Sequence, residues 1–129
     1  MISSATDAHM RRLVKRLSGF DVHIIYTARD LSRVATAMWQ TGLRSTQKHT
    51  WEEYARSLKD PDNDELTYGK RFWFQQGADS VLARWGKLLP HENLHLITVP
   101  RPGNPPELLW QRFCAVVGLD PLDHMHRKR

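Results

Sequence analysis

The sequence has a single cysteine, Cys114, among its 129 residues. One cysteine excludes an intramolecular disulfide and any metal site built from cysteine ligands. Because Cys114 lies with Phe113 and Val116 in an amphipathic pattern, we predict a buried thiol rather than a nucleophile. No apolar run approaches the roughly 20 residues that span a bilayer, and the amino-terminal residues lack the pattern of a secretory signal. These absences predict a soluble cytoplasmic protein without a membrane partner.

Motifs for nucleic-acid recognition and for metal binding are also missing. No helix-turn-helix, zinc-finger or RNA-binding signature accompanies the basic charge, so no specific nucleic-acid partner is expected. Two histidine pairs come closest to a metal motif, His91 with His95 and His124 with His126. Neither pair has the further ligands that a zinc site requires, and no metal cofactor is predicted.

What the chain does have is an excess of positive charge. It carries 19 Lys and Arg residues against 14 Asp and Glu, a net charge of +5. Such a balance suits an anionic partner, for example a phosphorylated cofactor, an acidic substrate or nucleic acid. The length predicts one domain over residues 1–121, followed by a basic tail over 122–129.

The most informative stretch is VHIIYTARDLSRVATAMW, residues 22–39. Its pattern predicts a strand over 22–27 and a helix over 31–40 that Asp30 caps. Arg29 then stands at the carboxyl end of a strand and before a helix amino terminus, where open α/β sheets bind anionic ligands. The alternative is that Arg29 pairs with a carboxylate or lies on the solvated rim.

The remaining pattern predicts four more helices and a second strand. They are a helix from Asp7 to Gly19, a helix with a capping box of Thr50 and Glu53, a helix capped by Asp79, a strand over 94–99, and a helix capped by Asn104 and ended by Gly118. This order predicts an α/β fold, with a parallel sheet covered by helices on both faces in three layers. Two strands, with a third candidate at 1–4, are too few for such a sheet. We therefore expect an incomplete sheet that a partner chain or a larger domain completes.

Three segments resemble actinobacterial proteins of the sulfotransferase superfamily: VHIIYTARDL, FWFQQGADSVLARWGKLLP and NLHLITVPRPGNPPELLWQRFCAVVGLDP. The resemblance covers residues 2–121 and implies a three-layer core related to P-loop kinases. Members of this superfamily transfer a sulfuryl group from 3′-phosphoadenosine 5′-phosphosulfate to an alcohol or amine. The resemblance assigns Arg29 to the 3′-phosphate of that cofactor, and a guanidinium fork pairs well with phosphate.

The chain departs from the family pattern at three places. The second 3′-phosphate ligand of the family is a serine eight residues after the arginine, and Ala37 stands there. The adjacent Thr36 is the replacement candidate, although it points about 100° away around the helix. No segment resembles the glycine- and lysine-containing loop that holds the 5′-phosphosulfate. Ala5 stands where relatives often have a glutamate, so the catalytic residues stay unassigned and the chain is expected to be weak or inactive alone.

Two other functions stay open from the sequence. One is a non-catalytic module that pairs with another chain, or with a second copy, through an exposed sheet edge and apolar helix faces. The other is nonspecific nucleic-acid binding through the basic ends, which would weaken steeply with salt. The leading expectation is a domain that binds a phosphorylated nucleotide.

Overall fold

The computed structural model describes residues 5–45, 48–63 and 65–122. Within these ranges the chain forms α1 Asp7–Arg16, β1 Ile24–Ala28, α2 Leu31–Ser45, α3 Trp51–Lys59, α4 Tyr68–Gln76, α5 Ala78–Trp85, β2 Leu94–Thr98 and α6 Glu107–Val117. Short 3-10 helices cover Pro61–Asn63 and His91–Asn93. The predicted strand at 1–4 and residues 123–129 of the predicted tail (122–129), with its histidine pair, lie outside the described residues.

The two strands pair in parallel, in a register that sets Ile24 beside Leu94 and Ala28 beside Thr98. A parallel pair needs a long crossover connection, and helices α2 to α5 supply it. The mixed α/β class predicted from the sequence is thus confirmed. In the described part of the chain the sheet has these two strands, and the three-layer arrangement stays a prediction.

The main core lies where α1 and α5 meet the sheet. Met10, Val81 and Trp85 are fully buried there, and Ile24 and Leu94 pack against them from the two strands. The apolar spacing along each helix directs these side chains to one face, which is the usual cause of helix docking. Trp85 is thereby the largest fully buried side chain among the described residues.

A second cluster joins α2, α3 and α4 through Ala35, Tyr54 and Phe72. Helices α3 and α4 approach closely because Gly69 lies against Ser57, whose hydroxyl accepts a 2.6 Å hydrogen bond from the Gly69 amide. A Cβ at Gly69 would overlap the Ser57 carbonyl oxygen, so a glycine is required at this contact.

Several predicted helix ends were wrong. Helix α2 runs through Gly42 to Ser45, because Gly42 is buried in continuous helix and does not adopt a positive φ. Thr6, not Asp7, caps α1. Gly77 precedes α5, and Asp79 lies in its first turn. Asn104 donates to the Arg101 carbonyl instead of capping α6.

The capping box of α3 is confirmed. The Thr50 hydroxyl accepts from the Glu53 amide, and the Glu53 carboxylate accepts from the Thr50 amide at 2.8 Å. We expect Thr50→Ala to lower the free energy of unfolding by about 1 kcal/mol, because it leaves an amide of the first turn unpaired. Urea denaturation measures this loss.

The matched control is Thr36→Ala, because the Thr36 hydroxyl bonds to the Ser32 carbonyl within a helix. Alanine has the higher helix propensity at such a position, so the free energy of unfolding of Thr36→Ala should equal or exceed that of the wild type. Equal losses in the two variants would contradict the capping role.

Candidate functional site

A cleft of about 1750 Å³ runs along β1 and under one face of α2. The α2 residues that line it recur at helical spacing, from Val34 through Met38 to Ser45. Below the strand, Val81 and Trp85 of the main core close its floor. The cleft reaches the carboxyl ends of both strands, because residues that follow each strand also line it, and this is the edge where open α/β sheets bind ligands.

Three arginines line the cleft at this end, here called the arginine mouth: Arg29, Arg33 and Arg101. Arg29 follows β1 directly, Arg33 lies in the first turn of α2, and Arg101 follows β2. Arg29 and Arg101 come to the same end of the cleft because parallel strands end at the same edge of the sheet. In the described ranges the ion pairs join His23 to Asp21 and His49 to Glu53, and they involve none of these arginines. The mouth therefore presents cationic groups to an incoming anion.

Asp30 caps α2, as the sequence predicted. Its Oδ1 accepts hydrogen bonds from the Ser32 hydroxyl at 2.7 Å and from the Ser32 amide at 3.0 Å. The Ser32 hydroxyl contributes most to holding the pKa of Asp30 below its usual range, and the Ser32 and Arg33 amides and the charge of Arg101 add to it. Asp30 thus stays ionised and orders the loop that carries Arg29.

The two predicted binding residues do not meet. Arg29 lines the cleft, whereas Thr36 lies outside it, on a shallow surface with Gln40. The Thr36 hydroxyl donates to the Ser32 carbonyl at 2.9 Å. Ala37 does line the cleft, so a methyl group occupies the helix position where the superfamily that the sequence resembles has serine. A role for Thr36 as a ligand stays a prediction.

At the amino-terminal end of β1, His23 lines the cleft and belongs to a chain of hydrogen bonds that starts at Asn93. The Asn93 side-chain amide donates to Asp21 at 2.7 Å, and the other Asp21 oxygen lies 3.1 Å from His23 Nε2. His23 Nδ1 lies 2.8 Å from His95 Nε2. Because the Asp21 carboxylate accepts a hydrogen bond from His23 Nε2–H, Nδ1 of the neutral His23 ring is an acceptor, and we assign His95 Nε2–H as the donor between the two rings.

The ring geometry agrees with a hydrogen bond between the two histidines. The planes of His23 and His95 differ by 14°, and the ring centroids lie 5.2 Å apart. That separation is what two imidazoles show when they meet edge to edge through one N–H···N bond. Among the described residues, no group of three or more His, Cys, Asp or Glu side chains is arranged to hold a metal.

Acid should weaken this hydrogen-bonded chain at Asp21. The bonds to His23 and Asn93, followed by the charge of His23, hold the Asp21 pKa below its usual value of 3.8. A lowered folded-state pKa contributes stability above pH 3.8, and this contribution is lost as pH falls through the folded-state pKa. We expect the stability difference between wild type and Asp21→Asn to shrink as the pH falls in this range.

Chemical denaturation at a series of pH values measures that difference. Asp62→Asn is the control, because Asp62 is exposed and belongs to neither ion pair of the described residues. A stability difference for Asp21→Asn that stays constant with pH would contradict the linkage.

Cys114 lies fully buried on α6, which confirms the predicted core thiol. Burial, and then the charge of Asp120, raises the pKa of the thiol. A raised pKa disfavours the reactive thiolate, so the side chain belongs to the packing of α6.

The sequence did not single out Arg33, Arg101 or the contact between His23 and His95. Arg101 had one available signal, since a residue that follows a second parallel strand reaches the same sheet edge as Arg29. The histidines are separated by 72 positions, and the strand register alone brings them together.

Comparison with protein-family models, curated proteins and solved structures finds no match to this chain. Among the described helices, none has the length and apolar character to cross a membrane.

Proposed function

We propose that the chain is a sulfotransferase-like domain whose arginine mouth binds the 3′-phosphate of 3′-phosphoadenosine 5′-phosphosulfate or of its product, adenosine 3′,5′-bisphosphate. The observation that carries this proposal is that Arg29, Arg33 and Arg101 line one end of the same cleft. The resemblance of residues 2–121 to the superfamily supplies the identity of the nucleotide.

The binding chemistry follows from the groups at the mouth. Arg29 donates hydrogen bonds to two phosphate oxygens, in the bidentate geometry that guanidinium favours. Arg33 and Arg101 add positive charge beside it. The first turn of α2 also presents backbone amides, and the positive end of its dipole favours an anion. Each charge-assisted hydrogen bond contributes about 1.5–3 kcal/mol.

Binding and sulfuryl transfer make different demands on the site. Transfer also requires cations around the migrating group and a base for the acceptor hydroxyl or amine. The arginine mouth accounts for nucleotide binding, and no residue of the cleft is assigned as the base. We propose nucleotide binding as the property of this chain and transfer as the reaction of a completed site.

Isothermal titration calorimetry tests the proposal directly. Adenosine 3′,5′-bisphosphate should bind at least about tenfold more tightly than adenosine 5′-monophosphate, because the second ligand lacks the 3′-phosphate. Equal affinities for the two nucleotides, or no binding of either, would contradict it.

Ala37→Ser should strengthen binding. The position lines the cleft with Arg29, and a serine hydroxyl there adds one donor toward the phosphate. We expect affinity for adenosine 3′,5′-bisphosphate to rise by a factor of about 2 to 10, the worth of one hydrogen bond. The control is Gln40→Ser, which places a new hydroxyl on the same helix but outside the cleft and should leave the affinity unchanged. An effect of the control equal to that of Ala37→Ser would contradict the proposed phosphate position.

A further inference from the structure

The cleft follows an edge of the sheet rather than one of its faces. Every residue from His23 to Arg29 lines it, whichever face its side chain occupies. From β2, by contrast, only the last residue, Thr98, contributes. Side chains of a strand alternate between faces, so a cavity that touches every residue in turn runs along the strand's open side.

The backbone groups at this open edge can be identified from one hydrogen bond. The Val99 amide donates to the Ala28 carbonyl at 2.8 Å, so Ala28 directs its backbone groups toward β2. In a parallel ladder the direction alternates with each residue. The N–H and C=O groups of Tyr26 therefore also point toward β2, while those of Ile25 and Thr27 point into the cleft. The sheet of the described residues has no third strand to pair with them.

The walls and the mouth define what fits beside this edge. Val34 and Met38 of α2 form one apolar wall, and Trp85 lies on the floor. Among the described residues that line the cleft, the charged groups near the carboxyl end of β1 are the three arginines and one carboxylate, Asp30. An occupant thus meets backbone donors and acceptors along its length, apolar side chains around it and positive charge at one end.

We propose that β1 binds an extended segment of another polypeptide, about five residues long, apolar along its length and acidic at its carboxyl end. The segment adds a strand to the sheet and pairs with Ile25 and Thr27. It runs parallel to β1, because purely parallel sheets are over-represented. Its acidic end then lies at the arginine mouth, where the charges are complementary.

A second copy of this chain is a poorer occupant. Parallel pairing of two β1 edges would place the two arginine mouths side by side, and like charges disfavour that contact. Strand binding goes beyond the proposed nucleotide binding, because it uses backbone groups of Ile25 and Thr27 that a phosphate at the mouth does not contact.

The test uses a fluorescein-labelled peptide, Thr-Val-Ile-Val-Thr-Asp-Asp, with a free carboxyl terminus, and measures its binding by fluorescence anisotropy. Thr27→Pro removes one edge donor without removing a bond to β2, so it should weaken peptide binding roughly tenfold. Thr27→Val keeps the amide and should bind as wild type does. A peptide with Asn in place of both Asp residues should also bind roughly tenfold more weakly.

A second measurement does not depend on the proline variant. Hydrogen exchange at the Ile25 and Thr27 amides should slow when the peptide is present at saturation. Unchanged exchange, which is also the result expected if the predicted strand at 1–4 of the same chain already pairs with this edge, or equal peptide affinity in wild type and Thr27→Pro, would overturn the proposal. A wild-type dimer detected by light scattering that is absent in Thr27→Pro would also overturn the proposal, because a second copy of the chain would then occupy the edge.

The experiment separates this proposal from nucleotide binding. Thr27→Pro should retain wild-type affinity for adenosine 3′,5′-bisphosphate, because Thr27 lies along the edge and not at the mouth. Loss of nucleotide affinity in this variant would show a disturbed β1, and the exchange measurement on the wild-type chain would then decide the strand proposal.

Discussion

Replacing Arg29 by alanine should reduce the affinity for adenosine 3′,5′-bisphosphate by a factor of about 10 to 150. This range corresponds to the loss of charge-assisted hydrogen bonds worth about 1.5–3 kcal/mol. Arg29 lines the cleft and takes part in none of the ion pairs of the described residues, so alanine removes phosphate contacts without breaking a structural ion pair. Calorimetric titration of the two proteins measures the change.

Arg12→Ala is the matched control for this experiment. It removes the same charge from the exposed side of α1, far in sequence from the arginine mouth. If binding depended only on net charge, the two variants would lose affinity equally, and that result would contradict a specific site. Raising the salt concentration should weaken nucleotide binding by both variants without removing the difference in affinity between them.

The largest expected effect on stability belongs to Trp85→Ala, with a loss of about 3–5 kcal/mol in the free energy of unfolding. Trp85 is 1% exposed and packs with Met10 and Val81 where α1 and α5 meet the sheet. Alanine leaves a cavity that the surrounding elements cannot fill without moving. Because domains are stable by only about 5–15 kcal/mol, this loss should unfold a visible fraction of the protein near room temperature.

Two other variants calibrate the Trp85 result in thermal and urea denaturation. Trp85→Phe keeps an aromatic ring in the cluster and should lose less than Trp85→Ala. Trp51→Ala removes a tryptophan that is 38% exposed and should also cost less. If Trp51→Ala destabilised the protein as much as Trp85→Ala, the cluster would not be the main core.

The local pattern of the sequence predicted the elements better than their ends. The capping box of α3, the Asp30 cap and the stop of α6 at Gly118 were all readable, because each depends on neighbouring residues. The end of α2 was not, since Gly42 is held in helix by burial, which is a tertiary effect. The same limit applied to Asn104, whose side chain binds the preceding loop.

The candidate site was predicted in part for a related reason. Arg29 could be selected because its position after a strand and before a helix is a local feature. Arg101 and the bond between His23 and His95 depend on the pairing of β1 with β2, which no short pattern encodes. The open edge of β1 likewise follows from the register and from the path of α2.

The central claim, an anion site at the arginine mouth, is tested most directly by NMR. Titration of ¹⁵N-labelled protein with adenosine 3′,5′-bisphosphate should produce the largest amide shifts at Arg29, Ser32, Arg33 and Arg101, which line the mouth. The basic face of α1, which includes Arg12, is the competing surface for binding of the nucleotide anion. Shifts concentrated on α1, or the absence of shifts at the mouth, would contradict the account.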